Sequence, residues 1–246
     1  MKVGRRKFIT LLGGAAAWPL AARAQQGGRV QRLGVLMGLP ENDPGGQAEV
    51  AALVLGLRDL GWRDGVNLHI DYRWSGADPE RARRLAKEIV ELAPDVILAR
   101  STPAAAALKA ETQTIPIVFV QVAEPIVSGL VENLSHPGGN ITGFTNYEAS
   151  IGGKLLQLLK EIAPQVVHAS IMFNPDTAPY ARSFVGPAET AAATLGIDVS
   201  TALIRTEADI KSTISALAAR PGSGLIVIPD TFANEHRELV FGLTAR

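Results

Sequence analysis

Side chains able to do chemistry occur throughout this sequence, but they do not form the local patterns that catalysis commonly uses. It lacks a phosphate-binding G-x-x-x-x-G-K-S/T loop, a G-x-G-x-x-G after the first predicted strand, a G-x-S-x-G elbow, an S-x-x-K pair and an H-E-x-x-H zinc motif. The four histidines, His69, His136, His168 and His236, lie far apart, which favours surface or capping roles. The sequence therefore predicts no catalytic residues, no metal site and no cofactor.

Polar residues gather instead directly after predicted strands. They do so in five loops, at residues 38–44, 101–103, 121–125, 174–177 and 230–231. In open α/β sheets, ligands bind in the crevice at the carboxyl ends of parallel strands, where such loops and helix amino termini converge. We therefore expect these five loops to form a ligand-binding crevice.

Ser101 and Thr102 are the most informative of these polar residues. Their hydroxyls precede a predicted helix whose first residue is Pro103, so they can cap its free amides. Together with those amides and the helix dipole, the same hydroxyls can hold a carboxylate or another oxygen-rich group. For either residue alone, plain helix capping explains the pattern equally well.

Short apolar runs predict the strands that carry these loops. The runs at 33–37, 96–99, 117–121, 170–173 and 225–228 are continuous, as in strands covered on both faces. Residues 68–74 alternate apolar and polar side chains, which predicts a strand near a sheet edge. Helices are predicted at 46–60, 79–92, 103–111, 152–162, 188–195 and 207–219.

This alternation of strands and helices predicts an α/β protein with parallel sheets and two lobes. The N-terminal lobe is expected over residues 30–145 and the C-terminal lobe over residues 146–246. The second lobe has only three convincing strands, fewer than a typical sheet of about five. We therefore expect the second lobe to be incomplete.

The first 24 residues have the pattern of a secretory signal peptide. Residues 1–7 include four basic residues, residues 8–20 are mostly apolar, and Ala22-Arg23-Ala24 is a small-x-small cleavage site. The apolar run is shorter than the roughly 20 residues that span a bilayer, which disfavours a membrane anchor. Arg5-Arg6 resembles the twin-arginine export motif, and the general secretory route stays open.

Charge and cysteine content exclude several classes of function. The chain has 24 Lys and Arg against 24 Asp and Glu, but five of the basic residues and no acidic residue lie in the signal. The chain after the signal carries a net charge of −5, which disfavours nucleic acid as a partner. Without cysteine there is no disulfide framework, thiolate metal site or lipid-carrying residue, so a free periplasmic protein is expected.

Several motifs together resemble the solute-binding proteins of bacterial ABC importers, in the branch of periplasmic binding proteins that includes tryptophan and tyrosine binders. The most specific is Pro137-Gly138-Gly139-Asn140-Ile141-Thr142-Gly143, which suits a turn into a strand that leads to the second lobe. The others include Arg6-Lys7-Phe8-Ile9, Leu60-Gly61-Trp62, Ser101-Thr102-Pro103-Ala104, Ile115-Pro116-Ile117-Val118 and Asn174-Pro175.

This resemblance implies a periplasmic binding protein type I-like fold, in which two Rossmann-like lobes hold a ligand between them without catalysis. It also implies a monomer that delivers a small molecule, an amino acid or another small carboxylate, to an ABC permease in the inner membrane. Carried onto this chain, the ligand-binding residues are Leu39, Glu41, Asn42, Asp43, Ser101, Thr102, Glu124, Asn174, Thr177, Asp230 and Thr231. The hinge candidates are Gly143, Thr145 and Asn146.

The sequence departs from the family pattern in two ways, and two other functions stay open. Glu124-Pro125 stands where the family commonly has Asp-Pro, and the family continues beyond Arg246, which indicates a chain truncated at its carboxyl terminus. A sensory module for a membrane receptor would have the same fold and pocket. An exported α/β hydrolase would need a nucleophile or metal constellation, and the sequence has none.

Overall fold

The computed structural model describes residues 29–245, so the signal peptide predicted over residues 1–24 lies outside the described part of the chain. The described residues form two parallel β-sheets with helices packed on them, which confirms the predicted α/β fold. None of the helices within residues 29–245 is long and apolar enough to cross a membrane.

The first sheet has five strands in the order β2-β1-β3-β4-β5. The strands are β1 (Gln31–Met37), β2 (Leu68–Trp74), β3 (Val96–Arg100), β4 (Ile117–Val122) and β5 (Ile141–Thr145). Their helices are α1 (Pro44–Asp59), α2 (Pro79–Glu91) and α3 (Thr102–Glu111). Strand β2 lies at the edge, as its alternating pattern predicts.

Helices cover both faces of the first sheet. Leu36, Ile97 and Phe119 are buried on one face against α2 and α3. Val35 and Met37 are buried on the other face beneath α1. Because the strand interiors pack between helices, the carboxyl ends of the strands are held in place while their following loops stay accessible to a ligand.

The second sheet has three described strands in the order β7-β6-β8. They are β6 (His168–Phe173), β7 (Asp198–Leu203) and β8 (Ser223–Val227). The helices are α4 (Ile151–Ile162), α5 (Arg182–Leu195), α6 (Glu207–Ala218), α7 (Thr231–Glu235) and α8 (Arg237–Thr244). We call the part built on the first sheet the first lobe and the part built on the second sheet the second lobe; the boundary between residues 145 and 146 stays a prediction.

Helix α5 begins earlier than the sequence pattern predicts. The sequence pattern predicts a start at residue 188, whereas the helix begins at Arg182 and contains Pro187 in its interior. Proline removes one hydrogen bond from a helix, but tertiary packing can outweigh that loss. Phe184, in the first turn of α5, is fully buried. A side chain at Gly152 of α4 would lie 2.1 Å from the carbonyl oxygen of Phe184. Close packing of α4 on α5 therefore extends the helix.

Candidate functional site

A cavity of about 110 Å³ lies between loops of the two lobes. From the first lobe it is lined by residues at or just after the ends of β3, β4 and β5, and from the second lobe by residues that follow β6 and β8. The lining residues are Arg100, Ser101, Thr102, Pro103, Gln121, Asn146, Tyr147, Thr177, Tyr180, Pro229, Asp230, Thr231 and Asn234. The sheets thus bring residues from four of the five predicted loops to one cavity, and the loop at residues 38–44 does not line it.

The first lobe contributes the amino terminus of α3. Ser101 is the N-cap residue, and its Oγ accepts a 3.4 Å hydrogen bond from the amide of Ala104. Its φ of 105° is rare for a residue other than glycine, and such strain clusters at functional sites. A side chain at Gly38 would lie 2.2 Å from Ser101 Oγ, so glycine makes this conformation possible. The helix dipole places partial positive charge at the cavity.

Arg100 places a buried positive charge beside Ser101. The residue is 6% exposed, and its guanidinium makes two hydrogen bonds, 2.8 and 2.9 Å long, to the carboxylate of Glu49 on α1. A buried charge needs such a partner because desolvation is costly. Sequence reasoning missed Arg100; the available signal was a charged residue at the end of an otherwise apolar strand.

The second lobe contributes the buried carboxylate of Asp230. It accepts hydrogen bonds from Thr177 Oγ1 at 3.0 Å, the Ala233 amide at 2.8 Å and the Asn174 amide at 3.3 Å. Burial raises the pKa of Asp230 above its ordinary value, although these hydrogen bonds oppose the shift. A cationic ligand group placed beside Asp230 would favour its charged form.

Thr231 carries an unpaired hydroxyl at the same cavity. The residue is 4% exposed, and Thr231 Oγ1 has no hydrogen-bond partner among the described residues. Buried polar atoms in native proteins nearly always have a partner, so an unpaired one at a cavity indicates a group that a ligand can satisfy. Thr231 therefore presents an unsatisfied hydroxyl to the cavity from the second lobe.

Two tyrosines add aromatic surface to the cavity and were also missed from the sequence. Tyr180 is 5% exposed, and its hydroxyl donates a 2.8 Å hydrogen bond to the carbonyl of Pro229. Burial, together with the charge of Asp230, raises the pKa of Tyr180, so the phenol stays neutral. Tyr147 lies after β5, next to Asn146. No local motif marks either tyrosine, because the fold alone brings them together.

The remaining predicted ligand residues do not line this cavity. Leu39 and Asp43 are buried in the loop after β1, and Glu41 and Asn42 line a separate groove. Asn174 is buried, and its Oδ1 accepts a 2.8 Å hydrogen bond from the amide of Asp176 within its own turn. Glu124 accepts a hydrogen bond from the amide of Ala149, where the chain enters the second lobe.

The hinge candidates lie where the chain leaves the first sheet. Gly143 is inside β5, and a side chain there would lie 2.1 Å from the carbonyl oxygen of Phe119 on β4. Thr145 ends β5, and Asn146 Nδ2 donates a 2.9 Å hydrogen bond to Gln121 Oε1. Gly143 therefore has a packing role in the sheet, and the hinge assignment stays a prediction.

No group of three or more His, Asp or Glu side chains within residues 29–245 is arranged to hold a metal ion. The polar groups at the cavity are instead hydroxyls, an aspartate and helix amides. Groups of this kind bind small polar ligands through hydrogen bonds and charge.

Comparison with protein families and with individual relatives supports this interpretation. A family model described as ABC transporter substrate binding protein matches residues 40–242. A tyrosine-binding protein from Clostridioides difficile is 36% identical over 118 residues, which is 48% of this chain and 34% of that relative. The chain thus spans about a third of the length of this curated relative.

Two solved structures share the fold. An ABC domain from Streptococcus pneumoniae in complex with L-Trp is 23% identical, with a TM-score of 0.75 over 87% of this chain and 70% of that one. A ligand-free, open substrate-binding protein with adhesive properties from Clostridium difficile is 27% identical, with a TM-score of 0.59 over 87% of this chain and 71% of that one. The chain superposes better on the ligand complex than on the open structure, although its identity with the open structure is higher.

Proposed function

This chain belongs to the ABC transporter substrate-binding protein family, and from that premise we propose that it captures a small amino acid-like carboxylate between its two lobes for an ABC importer. One observation carries the proposal. The amino terminus of α3 and the buried Asp230, which come from different lobes, line one cavity together with the unpaired hydroxyl of Thr231.

The two sides of the cavity suit the two charges of an amino acid. The α3 amino terminus, with Ser101 and Thr102, would hold the α-carboxylate through hydroxyls and amides. Asp230, with Thr231, would hold the ammonium group, since a buried carboxylate gains from a cation placed beside it. Micromolar binding needs about 8 kcal/mol, which two such charged contacts and one buried side chain can supply.

An aromatic side chain is the favoured third part of the ligand. Tyr147 and Tyr180 supply aromatic surface at the cavity, and the 36% identical relative is a tyrosine-binding protein. The cavity of about 110 Å³ is smaller than usual ligand pockets of about 300 Å³ or more. An aromatic amino acid would therefore enter while the lobes are apart, and the loops that line the cavity would have to move outward as the lobes close on it.

A thermal-shift experiment tests the proposal with ligands that differ by one charged group. L-tyrosine is compared with L-tyrosinamide, which lacks the carboxylate, and with 3-(4-hydroxyphenyl)propionate, which lacks the ammonium. At 100 times its Kd, a ligand stabilises a protein by about 2.7 kcal/mol, which raises the Tm of a domain of this size by roughly 5–10 °C. We expect such a shift for the amino acid and much smaller shifts for both analogues.

The opposite outcome would assign another function. If no amino acid raises the Tm and the protein turns over esters or amides, the binding proposal is wrong and the hydrolase alternative stands. Equal shifts for L-tyrosine and both analogues would show that Asp230 does not bind the ammonium group and that the α3 amino terminus does not bind the carboxylate.

We also propose that the mature protein works in the periplasm and delivers its ligand to a membrane permease. The signal pattern of residues 1–24 and family membership support export. Replacing Arg5 and Arg6 by lysine should leave the precursor in the cytoplasm if the twin-arginine route is used. Normal export of that variant, measured by cell fractionation, would assign the general secretory route.

A further inference from the structure

The two lobes also touch through a charged pair outside the cavity lining. Arg237 Nη1 donates a 2.6 Å hydrogen bond to Asp43 Oδ2, joining the start of α8 to the start of α1. Asp43 is 8% exposed and caps α1, where its other carboxylate oxygen accepts a 2.8 Å hydrogen bond from the Gly46 amide. Arg237 also donates to the carbonyl of Asn234 at 2.9 Å.

A second contact lies beside this pair. Glu235 Oε2 accepts a 2.9 Å hydrogen bond from the amide of Ala77, in the loop between β2 and α2. The Ala77 side chain packs against the second-lobe cluster that contains Phe232 and Ile204. We call Asp43, Ala77, Glu235 and Arg237 the interlobe latch.

One short element connects the latch to the cavity. Helix α7 begins at Thr231, directly after Asp230, and ends at Glu235. At 1.5 Å per residue it is about 7.5 Å long, so its two ends move together as a rigid unit. Contacts made by Glu235 and Arg237 therefore fix where Asp230 and Thr231 stand relative to the first lobe.

We propose that the interlobe latch holds the lobes together before ligand arrives, and that Arg237 is a positioning residue that sets ligand affinity without touching the ligand. This inference rests on the proposed binding function for its affinity effect, but its effect on lobe geometry is independent of any ligand. A ligand that binds the closed form has an apparent Kd equal to its intrinsic Kd divided by the closed fraction. Breaking the latch lowers that fraction and weakens binding.

The test uses substitutions that spare local structure. Asp43→Asn keeps a residue that caps helices well but removes the charge. Arg237→Met keeps most of the apolar stem and removes the guanidinium. Arg205→Met is the matched control, because the exposed Arg205–Asp176 pair lies wholly within the second lobe.

Lobe geometry is measured first, without ligand. The chain contains no cysteine, so Glu91→Cys in α2 and Glu189→Cys in α5 provide unique label sites on exposed residues of the two lobes. Double electron–electron resonance should show that Asp43→Asn and Arg237→Met each shift the interlobe distance or broaden it, while Arg205→Met leaves it unchanged. An unchanged distance in both latch variants overturns the proposal.

Affinity is measured second, by calorimetry with L-tyrosine. We expect each latch variant to weaken binding by about 5- to 30-fold, with the double variant no weaker than either single one. Additive losses, or an equal loss in Arg205→Met, would contradict a shared latch. If L-tyrosine does not bind the unmodified protein, the proposed function fails, whereas the distance measurement still decides the latch.

Discussion

The two sides of the cavity, one from each lobe, are built in contrasting ways. On the first lobe, the polar groups are already paired: Arg100 is bound to Glu49, and Ser101 caps α3. On the second lobe, Asp230 accepts three hydrogen bonds but forms no salt bridge within residues 29–245, and burial raises its pKa. Thr231 Oγ1 has no hydrogen-bond partner among the same residues. The first side is organised by contacts within its own lobe, and the second side retains polar groups that a ligand would satisfy.

This difference predicts where ligand binding changes the protein most. Pairing a group that is already satisfied adds little, whereas pairing a buried unsatisfied group recovers its desolvation cost. Losing the charge of Asp230 should therefore lower affinity more than any change on the first lobe. Losing the hydroxyl of Thr231 should have opposite effects on the free and the ligand-bound protein.

The largest expected effect comes from Asp230→Asn. Removing one charge from a buried ionic contact costs several kcal/mol, so affinity for an amino acid should fall by about 100-fold. The free energy of unfolding should change by only about 1 kcal/mol, because the buried charge that is lost is itself costly. Calorimetry and chemical denaturation measure the two quantities. Asp198→Asn on the exposed edge strand β7 is the control and should change neither.

The pH dependence of binding tests the same carboxylate in the unmodified protein. Because the pKa of Asp230 is raised in the free protein, binding of an ammonium at lower pH must expel a proton. Affinity should be constant above that raised pKa and fall about tenfold per pH unit below it.

The stability of the free protein should respond to pH with the opposite sign. The contribution of Asp230 to the free energy of unfolding is most favourable below its unfolded-state pKa of 3.8 and is lost as pH rises through its folded-state pKa.

The variant Asp230→Asn tests whether this carboxylate causes the pH dependence of affinity, which should disappear in the variant. A dependence that persists in this variant would assign the titration to another group.

Ser101 tests the first lobe, where a smaller effect is expected. Ser101→Ala should lower stability by about 1 kcal/mol through loss of the N-cap. Ser101→Gly should lower stability by less, because glycine is an adequate N-cap residue and adopts a φ of 105° without strain. If the hydroxyl also binds ligand, both variants should weaken affinity equally, by about fivefold. Unchanged affinity in Ser101→Gly would leave Ser101 as a helix cap alone.

The sequence predicts the fold well because its signals are local. Continuous apolar runs mark the buried strands, and the loops after them contain Ser101, Thr102 and Asp230, which the structure brings to one cavity. The loop after β1 has the same polar appearance, yet Asp43 is bound to Arg237, 194 positions later. Such long-range pairing leaves no local pattern in the chain, so sequence reasoning could not separate a latch residue from a cavity residue.

Arg100 and Tyr180, which sequence reasoning missed at the cavity, also depend on long-range pairing. Arg100 is held by Glu49 across 51 positions, and Tyr180 by the carbonyl of Pro229 across 49. Neither spacing corresponds to a motif. The first contact depends on the packing of α1 on the first sheet, and the second depends on the pairing of β6 with β8 in the second sheet.

Thr231→Val separates the two sides most directly, because its expected effects have the same size as those at Ser101 but the opposite sign for the stability of the free protein. The substitution keeps the shape of the side chain and removes the unpaired hydroxyl, so the free protein should gain about 1 kcal/mol and roughly 2–4 °C in Tm. Affinity should fall by about fivefold, because the bound state loses a hydrogen bond. Thr201→Val, at an exposed position on β7, is the control. If Thr231→Val destabilises the free protein and leaves affinity unchanged, the Thr231 hydroxyl has a hydrogen-bond partner within the protein. The polar groups of the second lobe at the cavity are then as fully paired as those of the first.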